Sequence, residues 1–182
     1  MRICGANCVD DDRCVLACSV TDILPVENLQ DTSRGKILRV AVGTGIEITG
    51  TYDGEDVAAS MMSLIRHNMS GDGSVRFQGF SDAAWTTQVI DTGTRSAVPT
   101  AMLGDIDFGI GEFGFNIFSP TYREKRTTIW FDDDDMVQYV TPVMQSWKLT
   151  LGEIDPAITY IDASRLWLGE HHEFAANPVY GS

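Results

Sequence analysis

Three consecutive segments decide the fold class: Gln145-Ser146-Trp147-Lys148-Leu149-Thr150-Leu151, then Gly152-Glu153-Ile154-Asp155-Pro156, then Tyr160-Ile161-Asp162-Ala163-Ser164-Arg165-Leu166-Trp167-Leu168-Gly169. The first and third alternate apolar and polar residues, the pattern of a strand with one face in a core and one in water. The middle segment carries Asp-Pro, a turn signal. Strand, turn and strand is the expectation. A polar tail with Asn177-Pro178-Val179-Tyr180-Gly181 follows.

Working outward, the same alternation recurs. Residues 36–42 and 46–52 read as strands around Gly43-Thr44-Gly45, with Ile46, Ile48, Gly50 and Tyr52 on the inward face. Residues 74–80 and 86–91 read as strands, and 127–131 and 137–139 as shorter ones. Residues 24–31 are expected to be irregular, pinned by Pro25. Residues 2–8 and 13–19 read as a hairpin around Asp10-Asp11-Asp12. Residues 56–69 are ambiguous, because Ala58, Met61, Met62 and Ile65 also fit helical spacing. A chain of 182 residues fits one domain. The expected boundaries are a sandwich over 1–169 and an extended tail over 170–182.

Several short motifs occur in order along the chain. Leu24-Pro25-Val26-Glu27-Asn28-Leu29 has the form L-P-V-x-N-L, and His67-Asn68-Met69-Ser70 approaches G-H-N-L-S. Trp147, Leu149, Leu151, Asp155, Pro156, Tyr160, Ile161, Arg165, Leu166, Gly169 and residues 177–181 complete the series. In this the chain resembles a family of tailed-bacteriophage tail proteins with a discoidin-like, galactose-binding-type fold. The resemblance implies an all-β jelly-roll sandwich with long loops and makes 58–65 a buried strand. It also implies a structural role in a virion tail tip or baseplate, with other tail proteins as partners, a symmetric oligomer, and assembly in the host cytoplasm. Ser164 departs from a common glycine. Glu170-His171-His172-Glu173 departs from the usual aromatic and proline residues.

Composition excludes several classes. Hydrophobic residues make up 43% and charged residues 21%, which is ordinary for a globular domain. The apolar runs are too short for a membrane helix. No apolar stretch with a small-residue cleavage site follows Arg2, so no signal peptide is expected. The net charge of −13, with 13 basic residues against 26 acidic, opposes nucleic-acid binding, which needs clustered cations.

Residues 102–118 interleave Gly104, Gly109, Gly111 and Gly114 with Phe108, Phe113, Phe115 and Phe118. One reading is a loop that plugs an open end of the sandwich. The other is a partner-docking loop that buries Phe108, Phe113, Phe115 and Phe118, with Tyr180 of the tail, on a neighbouring subunit.

Cys4, Cys8, Cys14 and Cys18 would share one face of the expected hairpin, Cys8 opposite Cys14 and Cys4 opposite Cys18. The two pairs would then lie about 13 Å apart, too far for a single zinc ion. Buried reduced thiols are favoured. Cross-strand disulfides and a metal or iron–sulfur site are the alternatives. His171 and His172 are adjacent on an extended chain, point opposite ways and read as a solvated tail. His67 is expected to cap or pair in a turn. The run Asp132-Asp133-Asp134-Asp135 lacks the spacing of a calcium loop and reads as solvated.

No nucleophile elbow or nucleophile–base pair is visible, so no enzyme and no cofactor are expected. Two functions remain. The first is the tail-tip subunit implied by the resemblance. The second is a carbohydrate-binding module contacting a host surface glycan, with an aromatic such as Trp85 stacked on a sugar face.

Overall fold

The computed structural model describes residues 2–32, 35–43, 45–54, 56–69, 72–97, 126–131, 135, 142–152 and 157–173. In chain order the strands are β1 (Arg2–Cys4), β2 (Cys14–Cys18), β3 (Asp22–Leu24), β4 (Leu38–Ala41), β5 (Ile46–Tyr52), β6 (Val57–Ala58), β7 (Met61–Ile65), β8 (Ser74–Phe80), β9 (Gln88–Asp91), β10 (Arg95–Ser96), β11 (Arg126–Trp130), β12 (Val143–Met144), β13 (Ser146–Gly152), β14 (Tyr160–Ala163), β15 (Arg165–Gly169) and β16 (His171–Glu173). The helical elements among the described residues are 3-10 turns at Cys8–Asp10 and Val26–Gln30. The fold is an all-β sandwich, as expected.

The principal sheet runs β10-β8-β13-β5-β2, with β9 also paired to β8. Its centre is β13, whose Trp147, Leu149 and Leu151 point inward and are fully buried. Burial of each such side chain contributes about 1.5–3 kcal/mol. A three-stranded sheet, β11-β7-β15, supplies Met62, Leu64, Ile129 and Leu168 to the same continuous core. A second three-stranded sheet, β14-β4-β3, adds Leu38, Val40 and Ile161. The inward row Ile46, Ile48, Gly50 and Tyr52 of β5 is buried in strict alternation.

The motif residues act as joints between distant strands. Asn68 donates to the carbonyl of Tyr160 at 2.9 Å and accepts the Asp162 N–H at 2.9 Å, tying the turn after β7 to β14. Asn28 donates to the Ile37 carbonyl at 2.8 Å. Arg165 pairs with Asp10 and holds the first 3-10 turn against β15. Asn7 completes that joint, accepting the Leu168 N–H at 2.9 Å.

Three expectations are corrected. Residues 2–8 and 13–19 do not form a hairpin: β1 pairs with β16, and β2 pairs with β5. The edge of β5 offers β2 a seven-residue partner with a buried face, which a local turn of three aspartates cannot match. The C-terminal strands are also not a hairpin with each other. β13 lies between β5 and β8, while the stretch 160–169 divides at Ser164 into β14, on β4, and β15, on β7. Residues 26–30 form a 3-10 turn rather than irregular chain, and Asp22 accepts the Val26 N–H at 2.8 Å at its start. The expected turn at 153–156 and the strand at 137–139 lie outside the described residues.

Candidate functional site

The loop between β8 and β9 carries Trp85 at φ 63°. A bulky side chain in the left-handed region is a conformational outlier that costs about 1–3 kcal/mol and persists only where surrounding contacts enforce it. The sequence supplies those contacts. Asp82 accepts the backbone N–H groups of Thr86 at 3.1 Å and Thr87 at 2.6 Å. These bonds, Thr86 first, hold its carboxyl down at about 2. Ser81 N–H meets the Thr87 carbonyl at 2.9 Å and closes the loop. Ser146 Oγ donates to the Asp82 carbonyl at 2.7 Å, and Gln145 accepts the Ala83 N–H at 3.0 Å, so the loop is anchored to the start of β13. The half-exposed Trp85 ring then lies against Phe80, with ring centroids 5.5 Å apart and planes at 59°.

This places Trp85 at one end of the outward face of the principal sheet. Register puts three rows side by side: Thr51, Ser146 and Phe80; then Thr49, Lys148 and Gln78; then Glu47, Thr150 and Arg76. The first row is partly covered by the Trp85 loop, and the other two are half-exposed. Lys148 Nζ lies 5.8 Å from the Trp85 ring centroid and 3.2 Å from Glu47 Oε1. Arg76 pairs with Asp91, whose carboxyl this guanidinium holds down at about 2. An aromatic plate beside fixed donors and acceptors suits a ligand with one apolar face and many hydroxyls.

A second exposed aromatic, Tyr160, sits on β14 at 38% exposure. The Arg39 guanidinium lies 4.1 Å from its centroid and is held by both Asp162 oxygens at 2.7 Å. That face is committed to its own ion pair.

Trp85, named from sequence, is therefore an aromatic on an open face, and Lys148 and Glu47 join it. Their signal was legible only as polar positions of alternating strands. Phe108, Phe113, Phe115, Phe118 and Tyr180 lie outside the described residues, as do Asp132, Asp133 and Asp134. Asp135 is not solvated: it is buried, and Arg95 donates to it at 2.5 Å. His171 is not part of a solvated tail. Ser60 Oγ accepts its backbone N–H at 2.9 Å and lies 2.7 Å from its Nδ1, and its ring meets the Trp130 ring edge-on at 4.9 Å. This serine–histidine contact clasps β16 to the sandwich. His67 is buried and pairs with Thr127 Oγ1 at 2.8 Å. Cys8, Cys14 and Cys18 are free thiols, Cys14 buried and the others packed on the core edge. Burial pushes the Cys14 thiol up to about 11. Among the described residues, no three His, Cys, Asp or Glu side chains are placed to share a metal ion.

No protein-family model and no curated protein matches the sequence. Solved structures do match in fold. A truncated AlyQ with CBM32 and alginate lyase domains aligns over 97% of this chain at TM-score 0.54 and 13% identity. The chain spans 35% of that protein. The CBM32 of AlyQ in complex with 4,5-unsaturated mannuronic acid aligns over 89% of this chain and 95% of its own length, at TM-score 0.51 and 16% identity. CBM32-3 from a family 31 glycoside hydrolase of Clostridium perfringens aligns over 88% of this chain and 92% of its own length, at TM-score 0.55 and 14% identity. The chain therefore has the discoidin-like β-sandwich fold of CBM32 carbohydrate-binding modules.

Proposed function

We propose that this domain is a non-catalytic glycan-binding module whose ligand stacks on Trp85. The observation that carries the reading is the strained φ of 63° at Trp85, enforced by the Asp82 and Ser146 contacts. Strain of this kind persists where a side chain must be presented, here beside the polar rows of the principal sheet. The fold likeness to carbohydrate-binding modules supports the same reading, although fold alone does not confer an activity. The test is retention on immobilised polysaccharides and titration with oligosaccharides, comparing the native protein with Trp85→Ala. Retention lost in the variant supports the reading. Equal retention of the two proteins, or none of either, contradicts it.

The ordered motif series favours a second, compatible reading at the level of the assembly. In it the module belongs to a phage tail tip, made in the host cytoplasm and incorporated with other tail proteins into a symmetric oligomer. Light scattering on the purified protein and on its mixture with tail proteins tests this separately. A tail-tip module that contacts a surface glycan satisfies both readings.

A further inference from the structure

We propose that the face beside Trp85 selects an uncharged pyranoside, that Lys148 and Glu47 together read two adjacent hydroxyls on it, and that Glu47 excludes uronate, sialylated and sulfated sugars. This rests on the glycan-binding reading above and names its ligand class.

The geometry begins with the pair itself. Lys148 Nζ and Glu47 Oε1 are 3.2 Å apart, one a donor and the other an acceptor, with Lys148 Nζ over the Trp85 ring at 5.8 Å from its centroid. Their side chains remain 27% and 38% exposed, so a ligand can reach both. Each sugar hydroxyl both donates and accepts, and two neighbouring hydroxyls present that complement at a comparable separation. Bonds to the ammonium and the carboxylate are charge-assisted, about twice as strong as neutral ones. A sugar ring stacked on Trp85 would direct its equatorial hydroxyls along the sheet toward this pair.

Charge decides the class. The cations of this face are Lys148 and Arg76, and each already has a carboxylate partner, Glu47 and Asp91. Asp82 adds a third carboxylate in the Trp85 loop and stays ionised down to about pH 2. Three carboxylates thus oppose two neutralised cations, in a chain of net charge −13. A ligand carboxylate or sulfate would have to displace Glu47 from Lys148 and would meet a field of its own sign. A neutral sugar meets neither obstacle.

The experiment uses the full chain and its E47Q, K148Q and W85A variants, with thermal melts as the folding control. Calorimetric titrations would compare neutral galactose-, glucose- and mannose-type oligosaccharides with uronate and sulfated oligosaccharides of matched length. The native protein is expected to bind a neutral ligand and no anionic one. K148Q should lose about fivefold or more of that affinity, the loss of one charge-assisted bond. E47Q should weaken the neutral ligand and gain measurable anionic binding, more at low salt than at high. Trp85-dependent binding of anionic oligosaccharides as tight as neutral ones overturns this inference and leaves the glycan reading standing. Unchanged selectivity in folded E47Q also overturns it. Binding of neither class overturns both.

Discussion

The indole of Trp147 on β13 occupies the space that a side chain at Gly50 on β5 would need. A Cβ built at Gly50 comes within 2.3 Å of Trp147 Cε2 and 2.4 Å of Cζ2. The two residues are directly paired across the sheet. Trp147 also stacks with Phe77 at 6.0 Å, and Phe77 with Phe131 at 5.1 Å, so this contact opens an aromatic column through the core. Glycine is required at position 50 by the ring opposite it. Gly50→Ala is expected to destabilise the fold by about 1–3 kcal/mol, because overpacking displaces the ring or the strand. Chemical denaturation measures this, and an unchanged midpoint would contradict the packing described.

Trp85 lies outside that column, so its removal should separate binding from stability. Trp85→Ala keeps the Cβ and its left-handed strain and removes only a half-exposed ring, and the melting temperature should stay within a few degrees. Affinity for the glycan should fall about tenfold or more, the equivalent of about 1.4 kcal/mol. Asp82→Asn, which weakens the loop's anchoring acceptor, should lower affinity less and loosen the loop. Amide exchange at Thr86 and Thr87 reads that directly.

Acid should act through two carboxylates. Asp82, bonded by Thr86 and Thr87 N–H, and Asp91, bonded by Arg76, are both held at about 2, against an ordinary value of 3.8. A depressed carboxylate contributes stability above its unfolded pKa and loses it as pH falls through its folded one. Stability and Trp85 fluorescence should therefore be flat above about pH 5 and decline between about pH 4 and pH 2. Asp82→Asn should remove the fluorescence change of the loop from that window, and its persistence would contradict the assignment.

The thiols should divide by burial. Cys14 is buried and its thiol is pushed up to about 11, whereas Cys8 and Cys18 are raised but half-exposed. Alkylation at neutral pH followed by peptide mapping should leave Cys14 unlabelled until denaturant is added. Labelling of native Cys14 at the rate of Cys18 would contradict its placement.

Alternation made β5, β8 and the central strand β13 legible, because each has one face in the core and its period of two survives in the sequence. The partners were not legible. β2 pairs with β5 and β1 with β16 across long intervening segments, while the nearby Asp10-Asp11-Asp12 imitates a hairpin turn. The same limit hid the buried role of Asp135, whose partner is Arg95, and of His171, whose partner Ser60 lies 111 positions away. At the candidate site, Trp85 could be named as an aromatic, and Asp82 preceding two threonines is a loop signal. The left-handed backbone of Trp85 and the meeting of Lys148 with Glu47 depend on strand neighbours that no local pattern encodes.

The most direct test reads the four tryptophans by indole N–H resonances during titration with a neutral oligosaccharide. The Trp85 indole is expected to shift with saturation while the fully buried Trp147 stays in place. Saturable shifts confined to Trp130 or Trp167, or no shift with any neutral glycan, would contradict it.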